Sequence, residues 1–291
     1  MAAREPAHVL SVGMGFLDTR LLVERFPPAQ RREWASKRYD ALGGPATVGA
    51  VAAVRLGGSA SFWGRRGTDP AGERIASLLE AQGVDTAGYR AFPGTSPTCE
   101  VFIRPDGERF LFPCLGEGLP SNADWIPNEA IDRADAILID GRWPEGGLRV
   151  ARRAIRRGIP VVHDLDQDRP EIWEIARLAT HVIADEDLAI ALGGVDALID
   201  RIESAGAWGA VTLGERGVAY RGGRMPSHPV SVIDSTGAGD VFHGAFALKM
   251  AQGGSETEAM HFGCAAGALH CQFGRVPLLD EVLRLLEKSS W

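Results

Sequence analysis

The chain of 291 residues carries only four cysteines, Cys99, Cys114, Cys264 and Cys271, with no C-x-x-C pair among them. That excludes a disulfide-stapled scaffold, and it fits reduced core thiols in a cytoplasmic protein. No apolar run approaches the roughly 18 residues of a membrane-spanning helix. The opening Met1-Ala-Ala-Arg-Glu-Pro lacks the apolar stretch of a signal peptide. The expectation is a soluble, cytoplasmic protein with no membrane contact. Positive charge is also in deficit, with 31 Lys and Arg against 38 Asp and Glu and a net charge of -7. A surface built to hold nucleic acid is thereby disfavoured, and small molecules are the expected partners. Repeats, low-complexity tracts and long linkers are absent as well, and the 45% apolar content can fill one large α/β core.

What is present reads as strands alternating with helices. Ala7 to Gly13 is a short apolar run ending in Gly, as expected of a buried strand that delivers a loop to a site. Residues 14–42 read as irregular, with Pro27-Pro28 and many charges. Gly43-Gly44-Pro45 marks a turn, and the small residues from Ala46 to Leu56 predict a helix packed closely on a sheet. A strand near Ala60 to Trp63 and a helix from Ala71 to Gln82 follow. Thr98 to Arg104 and Glu108 to Pro113 alternate with period two around Pro105-Asp106-Gly107, which predicts a hairpin in a small sheet apart from the main one. Farther on, Ala136 to Asp140, Pro160 to His163, Thr180 to Ile183 and Ala210 to Leu213 read as apolar strands. Helical patterns such as Gly147 to Arg157 and Val195 to Ala205 separate them, so a largely parallel sheet covered on both faces is predicted.

The strongest chemical signal is the run from Ile233 to Lys249, where an apolar strand end meets Thr236-Gly237-Ala238-Gly239 and a helical pattern begins. Glycines at 237 and 239 let the backbone approach a ligand, and the N–H groups of a helix start can cradle a phosphoryl group. Asp240 lies at the beginning of that helix, whose dipole would keep its carboxylate ionised. Spacing alone leaves two readings for it: a base that takes a proton from a substrate alcohol, or a helix cap.

This run resembles the second signature of the PfkB, or ribokinase-like, family of carbohydrate kinases. Asp234, Thr236, Gly237, Ala238, Gly239, Asp240, Phe242 and Gly244 stand in the family's places, with Ser235 as the variation. Gly43 to Gly57 and Gly64 to Gly72 resemble the first signature. The resemblance implies a single ribokinase-like domain over 1–291, a three-layer α/β/α sandwich with a mostly parallel central sheet. It adds a small β-sheet lid from about 15–42 and 87–115. It makes Asp240 the base and gives the N–H groups of Gly237, Ala238 and Gly239 to the transferring phosphoryl group. It assigns Asp18, five residues after Gly13, together with Gly43 and Gly44, to the sugar. Thr212, Gly214, Gly217, Gly237, Gly239, Ala265, Ala268 and Gly274 fall to the nucleotide. ATP with Mg2+ is the implied phosphoryl donor, with Asp185 and Glu186 acting indirectly on the magnesium. A potassium ion is implied beside Asp234 and Thr236, and a homodimer through the lids, which would cover an exposed strand edge.

Two departures are visible. Val48 stands where many members have an Asn, and the family's Asn-x-x-Glu motif appears as Asp185-Glu186-Asp187-Leu188, whose Leu188 cannot bind a metal. Gly44-Pro-Ala, Asp140 to Gly146, Asp164-x-Asp166 and Asp240 to Gly244 resemble most the branch acting on 6-deoxy-6-sulfofructose. Arg142 matches that branch's sulfonate-binding Arg, and a guanidinium fork suits a tetrahedral anion. The branch's other anion contacts fall on Pro113 and near Arg32. His243 reads as a packed or substrate-lining residue, and His163 is unassigned. The expected activity is phosphorylation of a ketohexose or anionic ketose. A nucleoside kinase of the same fold and a non-catalytic sugar or nucleotide sensor are the alternatives.

Overall fold

In a computed structural model that describes residues 5–288, the chain begins with β1 (His8–Gly13), β2 (Phe16–Val23), β3 (Ala35–Gly43), α1 (Pro45–Arg55), β4 (Ser59–Gly67) and α2 (Pro70–Ala81). It continues through β5 (Tyr89–Phe92), β6 (Thr98–Ile103), β7 (Arg109–Cys114), α3 (Asn128–Asp132), β8 (Ala136–Ile139), α4 (Pro144–Arg157), β9 (Val161–Leu165) and α5 (Pro170–Ala176). Then follow β10 (His181–Asp185), α6 (Glu186–Ala191), α7 (Val195–Ser204), β11 (Trp208–Thr212), β12 (Val218–Tyr220) and β13 (Gly223–Met225). Three helices close the chain: α8 (Ala238–Ala251), α9 (Glu256–Phe273) and α10 (Leu279–Lys288).

The large sheet has the order β13-β12-β11-β10-β9-β8-β1-β4-β5 and is parallel except at β12 and β13. Its central strands are almost wholly buried because helices cover both faces. On β8, Leu138 joins the cluster that contains residues of α1, α8 and α9, whereas Ile137 and Ile139 join the cluster containing residues of α4, α5 and α7. Neighbouring residues of one strand therefore feed opposite cores, as period-two geometry requires. Helices α1 and α8 cross where a Cβ on Gly244 would meet the Gly49 carbonyl, so the absence of side chains sets their separation.

A separate four-stranded sheet, β3-β2-β6-β7, forms the lid. Residues 14–42, irregular by their local pattern, contain two paired strands, with Asp18 opposite Ala41 and Phe16 opposite Gly43, in the small sheet that the family resemblance implied. Their many charges lie on a sheet with little core of its own, so cross-strand pairing rather than local apolar pattern decides the conformation. Tyr89–Phe92, placed in the second lid segment, instead pairs with β4 at the edge of the large sheet. The hairpin around Gly107 forms as read, β6 and β7 running antiparallel with Thr98 opposite Cys114.

The four cysteines are free, but not all are core thiols: Cys99 and Cys264 are buried, Cys271 is half-buried and Cys114 is exposed on the lid. Among the described residues no helix is long and apolar enough to cross a membrane.

Candidate active site

The turn before α8 is built from both sides. The N–H groups of Ile233 and Asp234 donate to the Cys271 carbonyl at 2.8 and 3.2 Å, which ties the turn to the end of α9. Gly237 then caps α8 with φ 81°, in the left-handed region that a residue with a Cβ occupies only at a cost. The Ala238 N–H donates to the Ser235 carbonyl at 3.2 Å, so one of the three expected phosphoryl donors is drawn into the turn itself.

Asp240 sits in the first turn of α8 and opens onto a cavity between the lid and the large sheet's helices. Its carboxyl is pushed up to about 7, chiefly by burial and then by the buried Asp164, with His243 and Arg142 opposing. This corrects the expectation that the helix dipole keeps it ionised: a half-turn of backbone N–H groups does not offset desolvation plus a second carboxylate. His243, one turn on, is buried as read, its Nδ1 donating to the Gly239 carbonyl at 2.7 Å. Its Nε2 lies 3.5 Å from Asp164 Oδ1. His163 is wholly buried, Nδ1 donating to the Ile139 carbonyl at 3.2 Å, and its pKa falls to about 4 through burial; it is packed away from the cavity wall.

The cavity, about 860 Å³, brings together Asp18, Gly43, Gly44, Arg142, Gly237 and Asp240. Asp18 projects from β2, and its carboxylate occupies the room that a Cβ on Gly43 would need. Burial raises its pKa to about 6 against the pull of Arg20. Beneath them, the buried Asp140 accepts from the N–H groups of Met14 at 3.1 Å, Ala46 at 3.4 Å and Arg142 at 2.9 Å. One carboxylate thus ties the end of β1 and the start of α1 to the residue that faces the cavity. The Arg142 guanidinium ion-pairs with Asp166 and also forms part of the cavity wall.

The residues assigned to the nucleotide scatter more widely. Thr212 ends β11 with its hydroxyl donating to the Ala184 carbonyl at 3.3 Å, and Gly214 to Gly217 forms a tight turn. None of these three lies on the wall of that cavity, whereas Gly274, the left-handed cap of α9, does. Ala265 is corrected to a packing residue: it has no exposed surface, and Ala268 has 6%. The two acids placed near magnesium diverge, Asp185 capping α6 through the Leu188 N–H at 2.7 Å and Glu186 pairing with Arg216 on the surface. Among the described residues no group of three or more His, Cys, Asp or Glu is arranged to hold a metal ion.

Asp234 and Thr236, the two expected cation ligands, are both half-buried. Asp234 accepts on Oδ1 from the Thr236 N–H at 2.8 Å and hydroxyl at 2.6 Å, and its carboxylate ion-pairs with Arg20 at 3.2 Å and Arg109 at 3.4 Å. Burial would raise its pKa, but these contacts outweigh it and hold the group below its ordinary value.

Arg20, Arg109, Asp140, Asp164 and His270 were not assigned roles from the sequence. His270 donates from Nε2 to the Thr236 carbonyl at 2.6 Å and lines the cavity. Arg20 carried a usable signal, since two residues after Asp18 on a strand is the same face; reading 14–42 as irregular hid it. Arg109 and His270 had none, being 125 and 36 residues from Asp234 in sequence.

This geometry agrees with the comparisons. The model of the pfkB family carbohydrate kinases matches residues 7–275. Ribokinase of Bacillus subtilis is 28% identical over 290 residues, covering 96% of this chain and 99% of the relative. Fructokinase-1 of Oryza sativa is 31% identical over 288 residues, covering 85% and 88%. The structure of Arabidopsis thaliana ribokinase complexed with ribose and ATP superposes with a TM-score of 0.85 at 25% identity, covering 98% of this chain and all of that one. With a family match over nearly the whole chain and the signature turn at the head of a helix that opens onto this cavity, this protein belongs to the pfkB family of carbohydrate kinases.

Proposed function

We propose that this kinase transfers the γ-phosphoryl group of MgATP to a hydroxyl of a ketohexose, or of an anionic ketose such as 6-deoxy-6-sulfofructose. The observation that carries the reading is that Asp240, at the head of α8, opens into the same cavity as Asp18 and Arg142. Asp18 accepts hydrogen bonds from sugar hydroxyls, and Arg142 presents a guanidinium suited to a tetrahedral anion. Asp240 takes the proton of the attacking hydroxyl, whose oxygen bonds to the γ-phosphorus as the bond to the bridging oxygen of ADP breaks. The N–H groups of Gly237 and Gly239 meet the transferring oxygens. Magnesium, when bound, neutralises charge between the β- and γ-phosphates.

A ketose is favoured by the 31% identity to a fructokinase and by Val48, which cannot hydrogen-bond a hydroxyl, on the cavity wall. An anionic ketose is favoured by Arg20, Arg142 and Arg169 lining the same space. The exposed Trp34, Leu111, Phe112 and Leu115 on the lid segments support pairing of lids in a homodimer. Four free thiols suit a reducing cytoplasm.

The test is ADP release with MgATP across fructose, fructose phosphates, sulfofructose, ribose and nucleosides. The highest kcat/KM is expected with a ketose. A nucleoside or ribose preferred over every ketose would overturn the substrate assignment.

A further inference from the structure

The family resemblance places a potassium ion beside Asp234 and Thr236, and the side chains around them do not fit one. A hard cation needs free oxygen lone pairs. Here the Asp234 carboxylate is taken on both oxygens: Thr236 and Arg109 meet Oδ1, and Arg20 meets Oδ2 at 3.2 Å. The Thr236 hydroxyl, which would be a second ligand, is itself contacted by Arg109, whose other amino group donates to the Ser235 hydroxyl at 2.6 Å. A potassium ion at this place would have to sit against two fixed positive charges.

Both guanidinium groups come from the lid, Arg20 from β2 and Arg109 from β7. Arg109 reaches three successive residues of the turn, 234, 235 and 236, with its planar fork of donors. Arg20 also lies 3.6 Å from Asp18, so one side chain joins the sugar-side carboxylate to the turn that precedes α8. The side chains of both arginines are largely withdrawn from solvent, at 13% and 21% exposed. In that setting an ion pair is weakly screened by salt.

We propose that Arg20 and Arg109 stand in for the monovalent cation, acting as positioning residues that neutralise Asp234 and hold the turn 234–237, so that phosphoryl transfer needs no potassium but needs the lid in place. This rests on the turn receiving the phosphoryl group, as argued above. Because the charge is carried by β2 and β7, the turn is set only when the lid lies over the cavity, which couples sugar binding at Asp18 to the head of α8.

The experiment compares potassium chloride with tetramethylammonium chloride at equal ionic strength, in the parent and in Arg109→Ala. Turnover with MgATP and the best sugar of the panel is one readout, and the melting temperature with MgADP is the other. The parent is expected to show the same rate and the same melting temperature in both salts. Arg109→Ala should lose on the order of 10²-fold in rate, the scale of a displaced reacting group. Potassium, but not tetramethylammonium, should restore part of that loss and raise the variant's melting temperature. Arg109→Lys, which keeps the charge without the fork, should fall between the two. A potassium-specific activation or melting shift in the parent overturns the proposal, as does an Arg109→Ala variant that folds and keeps the parent rate. A failure of the site assignment itself shows elsewhere, as an Asp240→Asn variant that retains activity, and leaves the melting comparison intact.

Discussion

The carboxylate of Asp18 lies where a side chain on Gly43 would have to be. Strand β3 ends at that glycine and β2 carries the aspartate, so the glycine pair at 43 and 44 makes room for the residue assigned to the sugar rather than only bending the chain. Gly43→Ala should therefore act through Asp18. The variant is expected to keep its ATP affinity while kcat/KM for the sugar falls by up to about 10²-fold, the cost of a misplacement near 1 Å. Steady-state kinetics with each substrate varied in turn checks this. An equal loss for ATP and sugar would place the damage elsewhere.

Asp240→Asn removes the base and leaves the shape. Turnover should drop by about 10²–10⁴-fold. Stability should move the other way. The folded pKa of about 7 lies above the ordinary value of 3.8, so the folded state binds this proton more tightly than the unfolded chain does. Stability from that group is full at low pH and is lost as pH rises through 7. At pH 8 the Asn variant is expected to melt no lower than the parent, and higher if the charge is the main cost.

The same carboxyl sets a rate profile. The kcat/KM for the sugar should rise with pH, about tenfold per unit on the acid side, and level off above about 7. Asp240→Asn should flatten that limb. A limb that survives the substitution would belong to another group, and Asp18, raised to about 6, is the next one on the cavity wall.

Arg142→Ala separates anionic from neutral sugars. Loss of a charge-assisted hydrogen bond, about 1.5–3 kcal/mol, should cost an anionic ketose roughly 10–100-fold more than fructose. Equal losses would mean that Arg142 serves only its contacts with Asp166 and the Asp140 segment.

Gly244→Ala tests the helix crossing. Its new Cβ would press on the Gly49 carbonyl and approach the Ala52 Cβ, and both helices are held by the sheet beneath. A cost of about 1–3 kcal/mol is expected from overpacking, read as a lower melting temperature. Since α8 carries Asp240, kcat should fall with it.

The chain's own order made much legible. Central strands and helices follow period: Ala136 to Asp140 contains β8, and Gly147 to Arg157 lies within α4. The signature turn was readable because its chemistry is contiguous, with glycine at 237 fixing φ and Asp240 three residues on. The β6–β7 hairpin of the lid was readable from its alternation and turn, but β2 and β3 were not, because their apolar faces are incomplete until β2, β3, β6 and β7 lie together.

By itself the sequence determined the layered α/β class, the family and the position of Asp240, since these rest on local period and on a run of adjacent residues. Only the tertiary structure decided the state of that residue. Burial under the assembled fold, and then Asp164, 76 positions away and brought near through the parallel order of the sheet, raise its pKa to about 7 where the helix start alone suggested an ionised group. It likewise decided what neutralises Asp234, because Arg20 and Arg109 reach it across the cavity from a second sheet. Charge interactions depend on distance and desolvation, and neither is written in the spacing of residues along the chain.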